Sequence, residues 1–133
     1  MKFGVFHLVW AMPLSDMPAL AARARAAGAD VLEIAISREP LPFDAAAARR
    51  ALAAEGLEAT LVTSLNADTD ITADDPAVRS AGRDFLRRYI EHAAELGSPL
   101  LSGALYGTVF QPRYLSPDER GRIWGTPSKH SPS

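Results

Sequence analysis

Residues 20–36, LAARARAAGADVLEIAI, decide the fold: an Ala-rich run, a glycine, then a short aliphatic run. Ala, Leu and Arg are strong helix formers, and Gly28 can take the left-handed conformation that stops a helix. Asp30 to Ile36 then reads as a strand, with Leu32, Ile34 and Ile36 on one face and Val31, Glu33 and Ala35 on the other. The larger aliphatics would pack on helices, which puts one carboxylate, Glu33, on the sheet's other face.

The same alternation extends in both directions. Toward the N-terminus, Lys2 to Val9 reads as a first strand, followed by Ser15 and Asp16 as candidate N-caps with Pro18 tolerated in the first turn. Toward the C-terminus, REPLPFD (38–44) is a Pro-rich turn, and Asp44 caps the helical run AAAARRALAAEG, which ends at Gly56. A third strand covers Leu57 to Leu65. The polar stretch NADTDITADD (66–75) reads as a loop, and its Asp68, Asp70, Asp74 and Asp75 lack the Gly and terminal Glu of a calcium loop. The longest helix starts near Asp75 with Pro76 in its first turn. Its apolar stripe is Val78, Ala81, Phe85, Tyr89, Ala93 and Leu96, while Asp84 with Arg88 and Arg87 with Glu91 stand at helix-neighbour spacing. A fourth strand runs from Pro99 to Tyr106.

Strand and helix in alternation predict a parallel α/β fold. About three and a half to four βα units fit into residues 1–107. Beyond Gly107, GTVFQPRYLSPDERGRIWGTPSKHSPS has Pro, Gly and Ser throughout and no sustained period, so residues 108–133 are expected to form an irregular tail, poorly ordered toward its end after Arg122. A full (β/α)₈ barrel needs roughly 250 residues; with 133, the expectation is a partial barrel.

Composition narrows the function classes. Fourteen basic residues stand against sixteen acidic ones, interspersed, with no basic run long enough to track a phosphate backbone, so no nucleic-acid partner is expected. Cysteine is absent, which excludes disulfides, zinc–thiolate sites and thiol nucleophiles. The opening MKFGVFHLVW lacks a continuous apolar stretch with a small-residue cleavage site, and no apolar run approaches the roughly 20 residues of a membrane span. The expectation is a cytoplasmic protein with no membrane partner. There is no G-x-G-x-x-G, P-loop or G-x-S-x-G motif. The arginines Arg23, Arg25, Arg49 and Arg50 are dispersed and read as a solvated helix face.

GVFHLVW (4–10), GADVLEIAI (28–36), EGLEATLVTSL (55–65), DDPAVRSAGRDFLRRYIEHAAELGSP (74–99) and SGALYG (102–107) together resemble the front half of the D-tagatose 3-epimerase and D-psicose 3-epimerase (ketose 3-epimerase) family, within the xylose isomerase-like barrels. The resemblance covers Met1 to about Gly107. It implies a sugar isomerase or epimerase fold in which a divalent ion (Mn, Co or Mg) and two glutamates interconvert ketose epimers through a cis-enediolate. It also implies that the metal ligands, a Glu, an Asp, a His and a Glu, belong to the family's C-terminal half. This sequence does not contain them. His7, His92 and His130 show no spacing that suggests a shared cation, so no metal and no catalytic residue is expected in this chain.

What the resemblance carries over is part of a sugar pocket. Phe6 matches a family aromatic that packs against substrate, and Trp10 matches a Trp at the end of the same strand; both read equally as barrel-core aromatics. Glu33 matches a strand-two Glu, in a substrate-side or a structural role, because a buried carboxylate needs a partner or a polar pocket. Val62 stands where some members have a Cys near the sugar and Ala104 where they have a Leu, both as small apolar walls, and Val109 falls where the family has a Trp, so that wall departs from the pattern.

Three readings remain open at this point. One is an epimerase-family half-barrel inactive alone. Another is a working enzyme assembled from two such halves as a homo-oligomer that pairs open sheet edges, and a third is a non-catalytic binding module that uses the strand ends and Trp124. In each, Gly4, Phe6, Leu8, Val31, Ala35 and Val62 would meet water unless something covers them.

Overall fold

Asp16, Asp44 and Asp75 each place a carboxylate at the start of a helix and fix where the chain turns back along the sheet. Asp16 accepts from the Ala19 amide at 3.2 Å, Asp44 from the Ala47 amide at 2.6 Å and Asp75 from the Ala77 amide at 2.8 Å, satisfying donors that a helix N-terminus would leave open. The helices they start are α1 (Met17–Ala26), α2 (Ala45–Ala54) and α3 (Pro76–Leu96). Gly28, Gly56 and Gly97 follow them with positive φ. The computed structural model describes residues 1–36, 39–108 and 116–124.

Between the helices run β1 (Gly4–Phe6), β2 (Val31–Ala35), β3 (Glu58–Leu65) and β4 (Leu101–Thr108). All pair in parallel, in the order β1-β2-β3-β4. This is the expected α/β architecture: a partial (β/α) barrel in which an open sheet of four strands alternates with helices. Leu32 and Ile34 of β2, Leu61 and Leu65 of β3, Leu20 of α1 and Tyr89 of α3 are fully buried in a single apolar cluster between the sheet and the helices. Each such side chain contributes roughly 1.5–3 kcal/mol by leaving water. No helix among the described residues is long and apolar enough to cross a membrane.

Several elements differ from their expected form. The first strand stops at Phe6 rather than Val9, because His7–Val9 forms a 3₁₀ turn. His7 is buried there and its Nδ1 accepts the Ala35 amide at 3.1 Å, which draws the chain inward over the end of β2. In α3 the stripe passes through Gly82, not Ala81: Gly82 is buried and Ala81 exposed. A Cβ at Gly82 would come within 2.3 Å of the Thr69 carbonyl oxygen, so the 66–75 loop and α3 can touch only where a side chain is missing. That loop is built rather than loose. Asp70 is buried and accepts from the Thr72 amide at 2.8 Å and from its hydroxyl at 2.7 Å.

Asp84 pairs with Arg87 at 3.0 Å instead of Arg88. Arg88 reaches across to Glu39 at 2.9 Å, and the His92 Nε2 lies 3.1 Å from the same carboxylate. The β2–α2 connection is thereby tied to α3. The fourth strand starts two residues later than expected and extends to Thr108.

Within the stretch expected to be irregular lies α4 (Pro117–Trp124). Ser116 and Glu119 form a reciprocal cap: the Ser116 amide donates to the Glu119 carboxylate at 2.8 Å and the Glu119 amide to the Ser116 hydroxyl at 3.2 Å. The S-P-D-E sequence is a capping box with Pro in the first helical position.

Candidate functional site: the uncovered sheet face

In a parallel sheet, residues paired across strands point to the same side. Phe6 pairs with Glu33 and Glu33 with Thr60; one step further on, Ala35 pairs with Val62 and Val62 with Ser102, and then Ser64 with Ala104. Four of the sequence-predicted residues, Phe6, Glu33, Val62 and Ala104, therefore share the face that turns away from the helices. All four are half-buried. As expected, Val31 and Ala35 on this face are half-buried too, while Gly4 and Leu8 are exposed.

Trp10 is placed differently. It follows the 3₁₀ turn, is half-buried and packs against the apolar cluster beneath the helices. Val109 lies outside the described residues.

Glu33 is the chemically distinctive group on this face. Among the described residues its carboxylate has neither an ion pair nor a hydrogen bond. The other carboxylate in the same register, Glu58, stands exposed at the opposite end of the strands and is held by Lys2. A half-buried, unpaired carboxylate is costly in a purely structural position and useful beside a polar ligand.

His7 backs the site from the end of β1, with its ring edge-on to that of Phe6 at 5.5 Å. Desolvation lowers its pKa below the usual 6.5, and a backbone hydrogen bond with Glu33 only partly opposes this. The imidazole is neutral near pH 7, and its Nδ1 lone pair is already committed to the Ala35 amide.

Register also brings in three hydroxyls that sequence reading left out: Thr60, Ser64 and Ser102, all half-buried on the same face. The signal was present in EATLVTSL, where Thr60, Val62 and Ser64 alternate with the buried Ala59, Leu61, Thr63 and Leu65. The face thus offers one carboxylate, three hydroxyls and an aromatic ring, a set suited to a polyhydroxylated ligand.

A divalent ion does not fit the described residues, since no three of their His, Asp and Glu side chains converge on one point. Two clefts, of about 400 and 290 Å³, lie elsewhere. One is bordered by Arg49, Leu52, Leu96 and Gly97 at the helix C-termini and touches this face only at Glu58, at the far end of the strands; the other is bordered by Ile90, Ala93 and Leu101, and neither includes Phe6, Glu33, Val62 or Ala104.

Comparison with known proteins agrees with the fold. A ketose 3-epimerase from Arthrobacter globiformis is 34% identical over 119 residues, covering 88% of this chain and 40% of that protein. An L-ribulose 3-epimerase from Methylomonas sp. (strain DH-1) is 33% identical over 111 residues, covering 80% of this chain and 37% of that protein. The crystal structure of a D-allulose 3-epimerase from Methylomonas sp. in complex with D-allulose superimposes with a TM-score of 0.78 at 29% identity, over 94% of this chain and 44% of that one. The chain spans about two fifths of the length of the curated relatives it matches. The family model for xylose isomerase-like TIM barrels matches residues 21–124, and the chain belongs to that family.

Proposed function

We propose that this chain provides the sugar-facing wall of a ketose 3-epimerase-like barrel and that it holds a ketose without turning it over. The observation that carries this reading is the convergence of Phe6, Glu33, Val62 and Ala104 on one uncovered sheet face, with the Glu33 carboxylate free to accept hydrogen bonds from sugar hydroxyls. The similarity to enzymes named for ketose and L-ribulose epimerisation supports the choice of ligand.

Epimerisation at a carbon beside a carbonyl needs a base to remove the proton, an acid or base on the opposite side, and stabilisation of the enediolate. The described part of the chain supplies one carboxylate in position and no cation site.

Ligand-observed NMR with D-fructose and D-allulose tests the proposal. Saturation transfer to either ketose is expected, with a Kd near ~1 mM, equivalent to about −4 kcal/mol. It should be lost in Glu33→Ala and weakened in Phe6→Ala. No transfer to any ketose, or equal transfer to the variants, overturns the reading.

A further inference from the structure

Every large apolar side chain that stands exposed among the described residues is found on one of two margins of the molecule. Phe3 (60% exposed), Leu8 (64%) and Val9 (62%), with Met1, flank β1. Leu100 (51%) and Tyr106 (75%) border or lie on β4, and Ile90 (57%) lines the cleft that α3 forms with Leu100 and Leu101. None comes from β2 or β3, the middle strands of the sheet, or from α1 or α2. The two margins are the two edges that the described residues leave unpaired in the same parallel sheet.

The β4 edge also lacks the features that keep sheets apart, and β1, at three residues, is blunted only by its shortness. Natural edge strands are blunted with charge, proline or shortness. β4 has eight residues, LSGALYGT, without a charge or a proline, and β1 has GVF. Two such edges carry no like charges that would repel each other.

We propose that a second copy of this chain closes the sheet: β4 of each copy adds to β1 of the other, so that two four-stranded halves form an eight-stranded parallel ring about a two-fold axis. This rests on the half-barrel fold and is independent of the sugar reading. Two-fold symmetry joins both edge pairs at once, and all strands stay parallel because the axis runs along the ring. Eight strands is the number at which side chains just fill a barrel. Six apolar side chains exposed to this extent bring on the order of 600 Å² per copy. The half-buried inner face adds to that, which reaches the ~800 Å² per partner of stable complexes. The ring places the Glu33 faces of both copies around a single interior and so completes the site that one copy leaves open.

The test uses the purified chain at micromolar concentration. Sedimentation velocity is expected to give twice the chain mass, and the double variant Leu100→Lys/Tyr106→Lys is expected to sediment as a folded monomer with an unchanged circular-dichroism spectrum. The chain has no native cysteine, so a Phe3→Cys/Leu100→Cys variant treated with a short bismaleimide reports the edges directly. Cross-linking to a closed dimer, with nothing larger, is expected even if the lysine variant fails to fold. A monomeric chain, a dimer that does not cross-link between these positions, or a ladder of higher oligomers overturns the proposal.

Discussion

Tyr89 and Gly103 show how single residues decide this fold. The Tyr89 ring stacks on Phe85 with centroids 4.3 Å apart and is fully buried. Burial, reinforced by the Glu39 carboxylate, pushes the Tyr89 phenol pKa up. Thr63 Oγ1 lies near enough to temper that rise, yet neither hydroxyl achieves hydrogen-bond geometry. An unsatisfied buried hydroxyl adds nothing to stability. Tyr89→Phe is therefore expected to unfold in urea within about 1 kcal/mol of the parent, on either side, whereas Tyr89→Ala should lose about 3–5 kcal/mol. At Gly103, φ is +126° and an added Cβ would meet the Thr63 carbonyl at 1.9 Å. Gly103→Ala should cost about 3 kcal/mol or more by combining backbone strain with a clash, read from the same urea titration.

Two ionisable groups tie loops to secondary-structure elements, and both make acid destabilising. His7 has a folded pKa below its usual 6.5, so the unfolded chain binds the proton more readily and stability is lost as pH falls below 6.5. The Glu39 carboxyl lies below its usual 4.5: desolvation would raise it, but hydrogen bonds from His92 and Arg88, with their charges, outweigh that. Its contribution is present above 4.5 and disappears as pH falls through the lower folded value. Thermal midpoints measured from pH 7 to 3 should therefore decline in two stages. His7→Gln, which keeps an acceptor for the Ala35 amide, should flatten the upper stage, and Glu39→Gln the lower. For α4, Ser116→Ala removes one side of the capping box and should weaken the helix by about 1 kcal/mol, seen as faster amide exchange over 118–121.

The same elements show what a sequence of this kind reveals. Caps and glycine stops are local, so Asp16, Asp44 and Asp75 marked their helices correctly. The face assignment in β2 was equally legible, because alternation of Leu32, Ile34 and Ile36 with Glu33 and Ala35 needs no tertiary information. What sequence could not show was long-range. The shortening of β1 depends on His7 meeting Ala35, the Arg88 pairing depends on Glu39 from another loop, and Gly82 lies inward because Thr69 comes close. The α4 capping box was readable and was masked by the surrounding Pro and Gly.

At the scale of the whole molecule, the decisive feature is asymmetry. One sheet face is sealed by three helices; the other presents Phe6, Glu33, Thr60, Val62, Ser64, Ser102 and Ala104 without a covering layer among the described residues. A complete barrel would enclose this face, and its βα ends would form the active site. In this chain the polar groups of that face stand in register, while the described residues provide no cation site.

The most direct measurement is manganese-dependent conversion of D-fructose to D-allulose by the purified, folded chain. The expected result is no turnover, from a sample in which ketose binding is still detectable by NMR. Turnover dependent on manganese would contradict the account, because it would require metal ligands and a second acid–base group that the described residues do not supply.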